Sequence, residues 1–256
     1  MKIKSPIVVI GIGEIGSVFA RGFLRLGHPV YPVTRDMDAD GVAKELPSPE
    51  AVLLAVGESD LHPQLAQLPE NWKSSLILIQ NELLPKDWQQ YDLKPTVVSV
   101  WFEKKKGQDV KVVVPSPVYG EKAPLVSAAL DALDIPTSMV KDEAQMTFEL
   151  VRKNYYILAS NIAGLKVGGT VSELWTKHRA LTQDILKDIH AIQEYLTGQE
   201  LDHDKLTRAM LLAFEGDPDH ACMGRSAPER LKRALDIANQ GGIDVPTLKK
   251  IAYELE

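Results

Sequence analysis

The sequence predicts an α/β fold in which a Rossmann-type, doubly wound parallel sheet is followed by an all-α C-terminal domain. Short, continuous Val/Ile/Leu runs fill the first half of the chain, as is typical of strands buried on both faces of a parallel sheet. A strand, a helix and a strand succeed one another over residues 7–33, which is the order of a βαβ unit. From about Glu143, long helical periods replace the apolar runs. The predicted domains are therefore 1–142 and 143–256.

The strands of the first domain are predicted from apolar segments separated by Gly, Pro and polar residues. A helix over Glu14–Leu26 separates the first two strands, because its apolar side chains recur at helical spacing and Gly27 ends it. Pro29 and Pro32 fall in the second strand, where an interior strand would need its backbone N–H groups, so we expect a bulge or a short, shifted strand. The predicted strands are Ile7–Ile10, Val30–Val33, Ala51–Val56, Leu76–Ile79, Thr96–Trp101 and Val110–Val114.

The second domain is predicted to be entirely helical. One apolar stripe runs from Met146 to Leu165 and another from Leu174 to Leu196, which predicts long helices over 143–165 and 174–198. The amphipathic faces of these two helices could pair between subunits, which would give a homodimer. Three shorter helices are expected over Asp204–Phe214, Pro228–Asn239 and Pro246–Leu255.

Composition excludes several classes of protein. The 256 residues carry a net charge of −6, and this acidic balance disfavours nucleic-acid binding. The single cysteine, Cys222, can form neither an internal disulfide nor a Cys-based zinc site. No apolar run approaches the about 20 residues that cross a bilayer, and no signal-peptide pattern opens the chain, so we expect a cytoplasmic protein. Acidic and His residues near 202–220 lack metal-ligand spacing, and Lys104–Lys106 is expected to be a solvated loop end.

The strongest functional motif is Gly11-Ile12-Gly13-Glu14-Ile15-Gly16, a G-x-G-x-x-G sequence that directly follows a strand and opens a helix. In this context Gly11 permits a tight turn, Gly13 lets the backbone approach a pyrophosphate, and Gly16 lets the helix and strand pack closely. The helix N-terminus adds N–H groups and partial positive charge for the phosphates. The motif predicts a dinucleotide site, with a glycine-rich turn that holds no ligand as the alternative.

The residues at the end of the second strand favour NADP over NAD. Thr34 and Arg35 follow this strand, and a guanidinium can clamp a 2′-phosphate through two hydrogen bonds. Asp36 could instead accept a hydrogen bond from a ribose hydroxyl, as acidic residues do in NAD-binding proteins. A further alternative is an exposed ion pair between Arg35 and Asp36.

Lys153 is the leading candidate for catalysis. In a helix with largely apolar neighbours, burial would lower the pKa of its ammonium towards neutral pH. Such a group can protonate or stabilise the alkoxide that develops when a carbonyl accepts a hydride. Asn161 and Asn154 are alternative polar partners, and Asn81 ends the fourth strand at the edge where ligands of parallel sheets bind. The competing interpretations are a solvated lysine, local hydrogen bonding by the asparagines of the helix, and a turn at Asn81.

These segments together resemble the ketopantoate reductase (2-dehydropantoate 2-reductase) family. The resemblance implies a Rossmann domain, a helical domain like that of 6-phosphogluconate dehydrogenase, an active site in the cleft between them, and NADPH as the cofactor. It implies that Lys153 is catalytic and that Asn81 and Asn161 position the substrate or the nicotinamide ribose. The similar segments are Gly11–Gly16, Gly27-His28 with Thr34-Arg35, Asn81, Lys153 with Asn161, and more loosely Cys222-Met223, Glu229 and Gly242-Ile243 with Pro246.

The chain departs from the family pattern at positions that bear on catalysis. Gly57 stands where the family often has Lys, and Glu82 replaces the Gly of an Asn-Gly turn. Ile157 replaces an Asn four residues after the lysine, and Cys222 replaces a Ser. The fold expectation is unaffected by these changes, whereas ketopantoate itself does not follow as the substrate.

Glu229 has a second explanation besides catalysis. Ser226-Ala227-Pro228-Glu229 has the S-x-x-E pattern of a capping box with Pro in the first turn, and we favour this interpretation. The sequence as a whole predicts an NADPH-dependent reductase of a small 2-oxo acid or related carbonyl compound. A non-catalytic NADP-binding sensor and a dehydrogenase that oxidises a hydroxy acid are the alternatives.

Overall fold

The computed structural model describes residues 4–255 and divides into two compact units. The first unit ends at Glu149 and the second begins at Leu150, so the division falls inside a long helix rather than before it. Residues 1–3 of the predicted first domain and residue 256 of the predicted second lie outside the described residues.

A seven-stranded sheet forms the centre of the first unit. Its strand order is β2-β1-β3-β4-β5-β8-β9, and a separate two-stranded sheet pairs β6 with β7. The strands are β1 (Ile7–Ile10), β2 (Val30–Val33), β3 (Ala51–Leu54), β4 (Leu76–Leu78), β5 (Thr96–Val98), β6 (Phe102–Glu103), β7 (Lys111–Val112), β8 (Ser116–Tyr119) and β9 (Thr137–Met139).

Five α-helices connect the strands of this unit. They are α1 (Glu14–Arg25), α2 (Ala39–Glu45), α3 (Leu61–Ala66), α4 (Pro85–Gln89) and α5 (Ala123–Asp131), with 3₁₀ turns over Glu58–Asp60 and Glu70–Ser75. Pairing from β2 through β5 is parallel, and β8 runs antiparallel to β5. The predicted α/β class is confirmed, with an antiparallel step added near one edge of the sheet. The chain reverses its direction of travel across the sheet between β1 and β3.

Of the two prolines assigned to the second strand, Pro32 lies in β2 and Pro29 directly precedes it. Strand β2 lies at the edge of the sheet with β1 as its one neighbour, and Pro32 is paired with Val9. An edge strand tolerates a missing N–H because one side of it bonds to no other strand. The expected bulge or shift is therefore replaced by an edge position with regular register.

The later strands differ from the prediction in two ways. Val110–Val114 does not join the main sheet, because Lys111–Val112 pairs with Phe102–Glu103 in a hairpin. Strands β8 and β9 were not predicted from the sequence, and they supply the last two positions of the main sheet. Strand β8 contains Pro117, and β9 is Thr-Ser-Met, so neither presents the apolar run that marks the earlier strands.

The second unit is helical, as the sequence predicts. The predicted helix over 174–198 is interrupted at His178, whose backbone (φ −125°, ψ 31°) is not helical. Gly198 then ends the longer piece in a left-handed conformation (φ 65°). Over residues 4–255, no helix is both long and apolar enough to cross a membrane. The helices are α6 (Glu143–Val167), which begins in the first unit, α7 (Val171–Lys177), α8 (Arg179–Thr197), α9 (His203–Gly216), α10 (Ala227–Gly241) and α11 (Pro246–Leu255).

Candidate functional site

A cleft of about 760 Å³ opens at the carboxyl ends of β1, β2 and β3. In open α/β sheets, ligands bind outside the carboxyl ends of the strands at the point where the strand order reverses. The cleft occupies this point, since the order reverses between β1 and β3. Five of the predicted cofactor residues line it, namely Gly11, Ile12, Gly13, Thr34 and Arg35.

The three motif glycines differ in what the fold requires of them. Gly11 has φ +88°, and a Cβ there would lie 2.8 Å from the Ala55 carbonyl oxygen. A Cβ on Gly16 would overlap the Gly11 carbonyl oxygen. A Cβ on Gly13 would have no neighbour within 4 Å, so the protein itself has no steric need for glycine at this position. Open space beside the backbone at Gly13 fits a pyrophosphate that approaches the start of α1.

The first turn of α1 also carries an ion pair that joins the cofactor motif to the hairpin of β6 and β7. Gly13 is the N-cap of α1 and provides no side-chain hydrogen bond to the helix. Lys104, which follows β6, places Nζ 3.4 Å from Glu14 Oε2, and its side chain is only 19% exposed. The expectation that Lys104 is a solvated loop residue is therefore wrong, since its ammonium lies beside the helix end that would hold the phosphates.

Arg35 lies at the mouth of the cleft with its side chain 93% exposed. Its Nη2 is 3.5 Å from Asp60 Oδ2, so its partner is Asp60 rather than the neighbouring Asp36. Asp38 also lines the cleft, where both of its carboxylate oxygens accept N–H groups from the first turn of α2. An exposed arginine can turn from Asp60 to a bound anion without disturbing any packed side chain.

Asn81 and Glu82 form the turn after β4. Asn81 Nδ2 donates to Glu58 Oε1 over 3.0 Å, which joins this turn to the segment after β3. The adjacent Gln80 is buried and donates from Nε2 to the Leu54 carbonyl over 2.7 Å. Glu82 adopts φ 60°, a left-handed conformation that normally favours glycine. Glu82 therefore adopts the left-handed conformation that the glycine of an Asn-Gly turn would adopt.

Lys153 lies on α6 among groups that disfavour its charged form. Burial, followed by the positive charges of Arg230 and Arg152, lowers its pKa to about 7. Its Nζ lies 5.9 Å from the ring centroid of Tyr156. This environment differs from that of a solvated helix lysine, and it makes both protonation states of Lys153 accessible near neutral pH.

Asn161 is buried on the same helix, and both the oxygen and the nitrogen of its amide make hydrogen bonds. Its Oδ1 accepts from Arg230 Nη1 over 3.0 Å and from the Gly224 N–H over 3.3 Å. Its Nδ2 donates to the Ile157 carbonyl one turn earlier over 2.9 Å. The amide thus connects α6 to α10 and to the segment that precedes α10.

The alternative partner, Asn154, faces another helix. Its Nδ2 donates to Gln193 Oε1 on α8 over 3.0 Å, and both side chains are buried. Ile157, which replaces the family asparagine, is also buried. Arg230 therefore connects the two candidates, since it donates to Asn161 and its charge acts on Lys153.

Cys222 is buried, whereas Glu229 lies on the surface at the start of α10. Burial, followed by the nearby charge of Glu173, raises the pKa of Cys222 to about 12, so the thiol stays protonated. The capping box expected for Glu229 is wrong, because Ser226 makes no side-chain hydrogen bond at the start of α10. Its backbone (φ −88°, ψ 8°) is not the extended conformation that a capping side chain needs. Glu229 is exposed at the surface.

The histidines and acidic residues near 202–220 are dispersed. His203 packs against His190 with ring centroids 4.9 Å apart, whereas His220 lies beside Asp217. Among residues 4–255, no group of three or more His, Cys, Asp or Glu side chains is arranged to hold a metal ion.

Comparison with solved structures identifies the fold. A ketopantoate reductase from Ralstonia eutropha JMP134 has a TM-score of 0.68 and 14% identity, with 97% of each chain covered. The chain has the ketopantoate reductase fold. A dimeric ketopantoate reductase from Staphylococcus aureus has a TM-score of 0.60 and 17% identity, covering 98% of this chain and 97% of its own. A D-mandelate dehydrogenase solved with NADH and anilino(oxo)acetate has a TM-score of 0.65 and 11% identity, with 97% of each chain covered.

The predicted resemblance is thus confirmed for the fold. No protein-family model matches the sequence, and no curated protein does. At identities of 11–17% the neighbours share the architecture with this chain, so its activity has to be argued from its own residues.

Proposed function

We propose that the protein is an NADPH-dependent reductase of a small 2-oxo acid or a related carbonyl compound. The observation that carries the proposal is Lys153, whose ammonium has a pKa of about 7 and lies beside Arg230 and the Tyr156 ring. When bound, the reduced nicotinamide supplies the hydride for the carbonyl carbon. Lys153 holds a proton on Nζ and gives it to the carbonyl oxygen as negative charge develops there.

The first unit would bind the cofactor. The backbone at Gly11 and Gly13 and the N–H groups that begin α1 would hold the pyrophosphate, and Arg35 would hold the 2′-phosphate of NADPH. Contact of Asn81 with the substrate or the nicotinamide ribose stays a prediction, as does a catalytic role for Glu229. The homodimer predicted from the long helices also stays a prediction, and the dimeric neighbour supports it.

The deciding experiment separates cofactor binding from turnover. Binding is measured as the change in NADPH fluorescence, and turnover as the loss of NADPH absorbance with a panel of 2-oxo acids. Turnover of one or more acids would support a reductase. Tight NADPH binding with no turnover on the whole panel would favour the sensor, and reduction of NADP by a hydroxy acid alone would favour the oxidising dehydrogenase.

Arg35→Ser is expected to weaken NADPH binding and leave NADH binding unchanged. The substitution removes charge-assisted hydrogen bonds to the 2′-phosphate, which NADH lacks, so the Kd of NADPH should rise about tenfold to a hundredfold. Asp60→Asn is the matched variant, because it releases Arg35 from its partner and should strengthen NADPH binding. Equal weakening of both cofactors by Arg35→Ser would contradict the NADP assignment, as would tighter binding of NADH by the unaltered protein.

Lys104→Met and Glu14→Gln are expected to change NADPH affinity in opposite directions. Lys104 adds positive charge at the start of α1 and Glu14 adds negative charge, so removing either one shifts the potential at the pyrophosphate. The Kd should rise about threefold in Lys104→Met and fall about threefold in Glu14→Gln, with both effects reduced by salt. Lys105→Met is the control, because Lys105 is exposed and pairs with Glu103. Weakening by both Lys104→Met and Glu14→Gln would mean that the ion pair matters only for the fold.

A further inference from the structure

We propose that Arg230, held in place by Asn161, binds the carboxylate of the substrate beside Lys153. The inference rests on the proposed function and names the chemical class of its substrate, a carbonyl compound with a carboxylate on the adjacent carbon. It also exchanges the roles expected from the sequence, since Asn161 becomes a positioning residue and Arg230 takes the substrate contact.

Asn161 holds Arg230 through hydrogen bonds at a buried position. Its amide oxygen accepts from both Arg230 and the Gly224 N–H, and its amide nitrogen donates to the Ile157 carbonyl. The side chain is 9% exposed. An amide with these three bonds has its main hydrogen-bonding capacity in use, so its contribution is to hold the guanidinium in one orientation.

The segment that precedes α10 is itself hydrogen-bonded to the connection between α6 and α7. The Cys222 N–H donates to the Gly169 carbonyl over 3.0 Å, and the Val171 N–H donates to the His220 carbonyl over 3.0 Å. The backbone passes so close to α6 that a Cβ on Gly164 would lie 2.8 Å from the Cys222 carbonyl carbon. These contacts hold the segment that carries Gly224, which shares the acceptor Asn161 Oδ1 with Arg230. A guanidinium whose acceptor is held in this way loses less entropy when a ligand orders it.

The positive charges of Arg230 and Lys153 also favour a bound anion. Arg230 reaches α6 by donating to Asn161 Oδ1 over 3.0 Å, and α6 also carries Lys153. Of the charged groups that act on Lys153, Arg230 lowers its pKa most, in agreement with this placement. Two cations that the fold keeps together attract an anion, and a guanidinium matches the two oxygens of a carboxylate. In a 2-oxo acid the carboxylate and the reacting carbonyl are on adjacent carbons. One such molecule can therefore place its carboxylate on Arg230 and its carbonyl oxygen at Lys153.

Arg230→Gln tests this assignment, with Lys232→Gln as the matched control. Lys232 is also on α10, is 76% exposed and pairs with Asp236, so its loss removes one positive charge away from the cluster. In Arg230→Gln the KM for a 2-oxo acid should rise about tenfold to a hundredfold. The affinity of the NADPH complex for oxamate, measured by fluorescence, should fall by a similar factor. Lys232→Gln should change neither value.

The pH profile gives a readout that a purely structural role would not move. Removing the positive charge of Arg230 raises the pKa of Lys153, so the decline of kcat/KM above about pH 7 should shift to higher pH. Asn161→Ala should raise the KM in the unaltered protein and add little in the Arg230→Gln background, because the two residues act as a unit. If Arg230→Gln fails to fold, Arg230→Lys keeps the charge and loses the planar fork. It should weaken oxamate binding and leave the pH profile in place.

The outcomes separate the two proposals. Unchanged KM and oxamate affinity in a folded Arg230→Gln protein would overturn the role of Arg230, even where the unaltered protein reduces 2-oxo acids. Oxamate binding that depends on Arg230 in a protein that turns over no 2-oxo acid would support the anion site while the reductase fails.

Discussion

Lys153→Met should lower kcat/KM for reduction of a 2-oxo acid by about 10²- to 10⁴-fold, the range typical for loss of a general acid. Met keeps the length and the apolar character of the side chain and removes the proton that the carbonyl oxygen needs. The Kd of NADPH should stay within about twofold, because the residues proposed to bind the cofactor belong to the first unit and Lys153 to the second.

The pH dependence of activity in the unaltered protein checks the same assignment. The pKa of Lys153 is about 7, so its ammonium form predominates below this pH and is lost above it. The acid form is the one that donates a proton, so kcat/KM for reduction should fall as pH rises through about 7. In the direction of alcohol oxidation the neutral amine is needed as a base, and the dependence should have the opposite sign.

Lys166→Met is the control for both measurements. Lys166 lies in the last turn of the same helix, is exposed, and pairs with Glu254 on α11. Its substitution therefore removes a lysine from α6 without changing the surroundings of Lys153. Unchanged turnover in Lys153→Met would exclude it as the proton donor. If the residual activity of Lys153→Met still declined as pH rises through about 7, the titrating group would be a residue other than Lys153.

The parts of the fold that local sequence determines could be predicted. The strand Ile7–Ile10, the glycine motif and the start of α1 at Glu14 follow from residues that are adjacent in the chain, so the sequence predicts the strand, the turn and the helix that border the cleft. Strands β8 and β9 could not be, because their place in the sheet comes from pairing with distant strands rather than from an apolar run. The edge position of β2 depends on the same long-range order.

The candidate site divides in the same way. The apolar sequence of its helix and the family resemblance both point to Lys153, and the structure adds the charges that lower its pKa. Arg230 and Lys104 belong to no motif, because the fold brings each of them to its partner. Arg230 is 69 residues from Asn161 in the chain. Lys104 contacts Glu14 at the start of α1. The S-x-x-E pattern at Ser226 predicts a cap wrongly, because a match of four residues does not determine the extended backbone conformation that a capping residue requires.

Gly13→Val should weaken cofactor binding strongly while the protein stays folded. The backbone at Gly13 (φ −71°, ψ −166°) is extended, and a Cβ there would meet nothing within 4 Å, so valine fits the protein alone. The same side chain would occupy the space through which a pyrophosphate reaches the start of α1. Loss of one or two charge-assisted hydrogen bonds should raise the Kd of NADPH about a hundredfold or more.

Gly16→Val is the contrasting variant, because its Cβ would overlap the Gly11 carbonyl oxygen and force β1 and α1 apart. It should lower the free energy of unfolding by about 3 kcal/mol or more, measured by chemical denaturation, whether or not a ligand binds. Gly13→Val should instead lower the free energy of unfolding by only about 1 kcal/mol, the usual cost of an apolar residue at an N-cap, because the added side chain strains no backbone angle and also restricts the unfolded chain. Normal NADPH affinity in Gly13→Val would remove the pyrophosphate from this position. Unfolding of Gly13→Val to the same degree as Gly16→Val would mean that both glycines serve the fold rather than the cofactor.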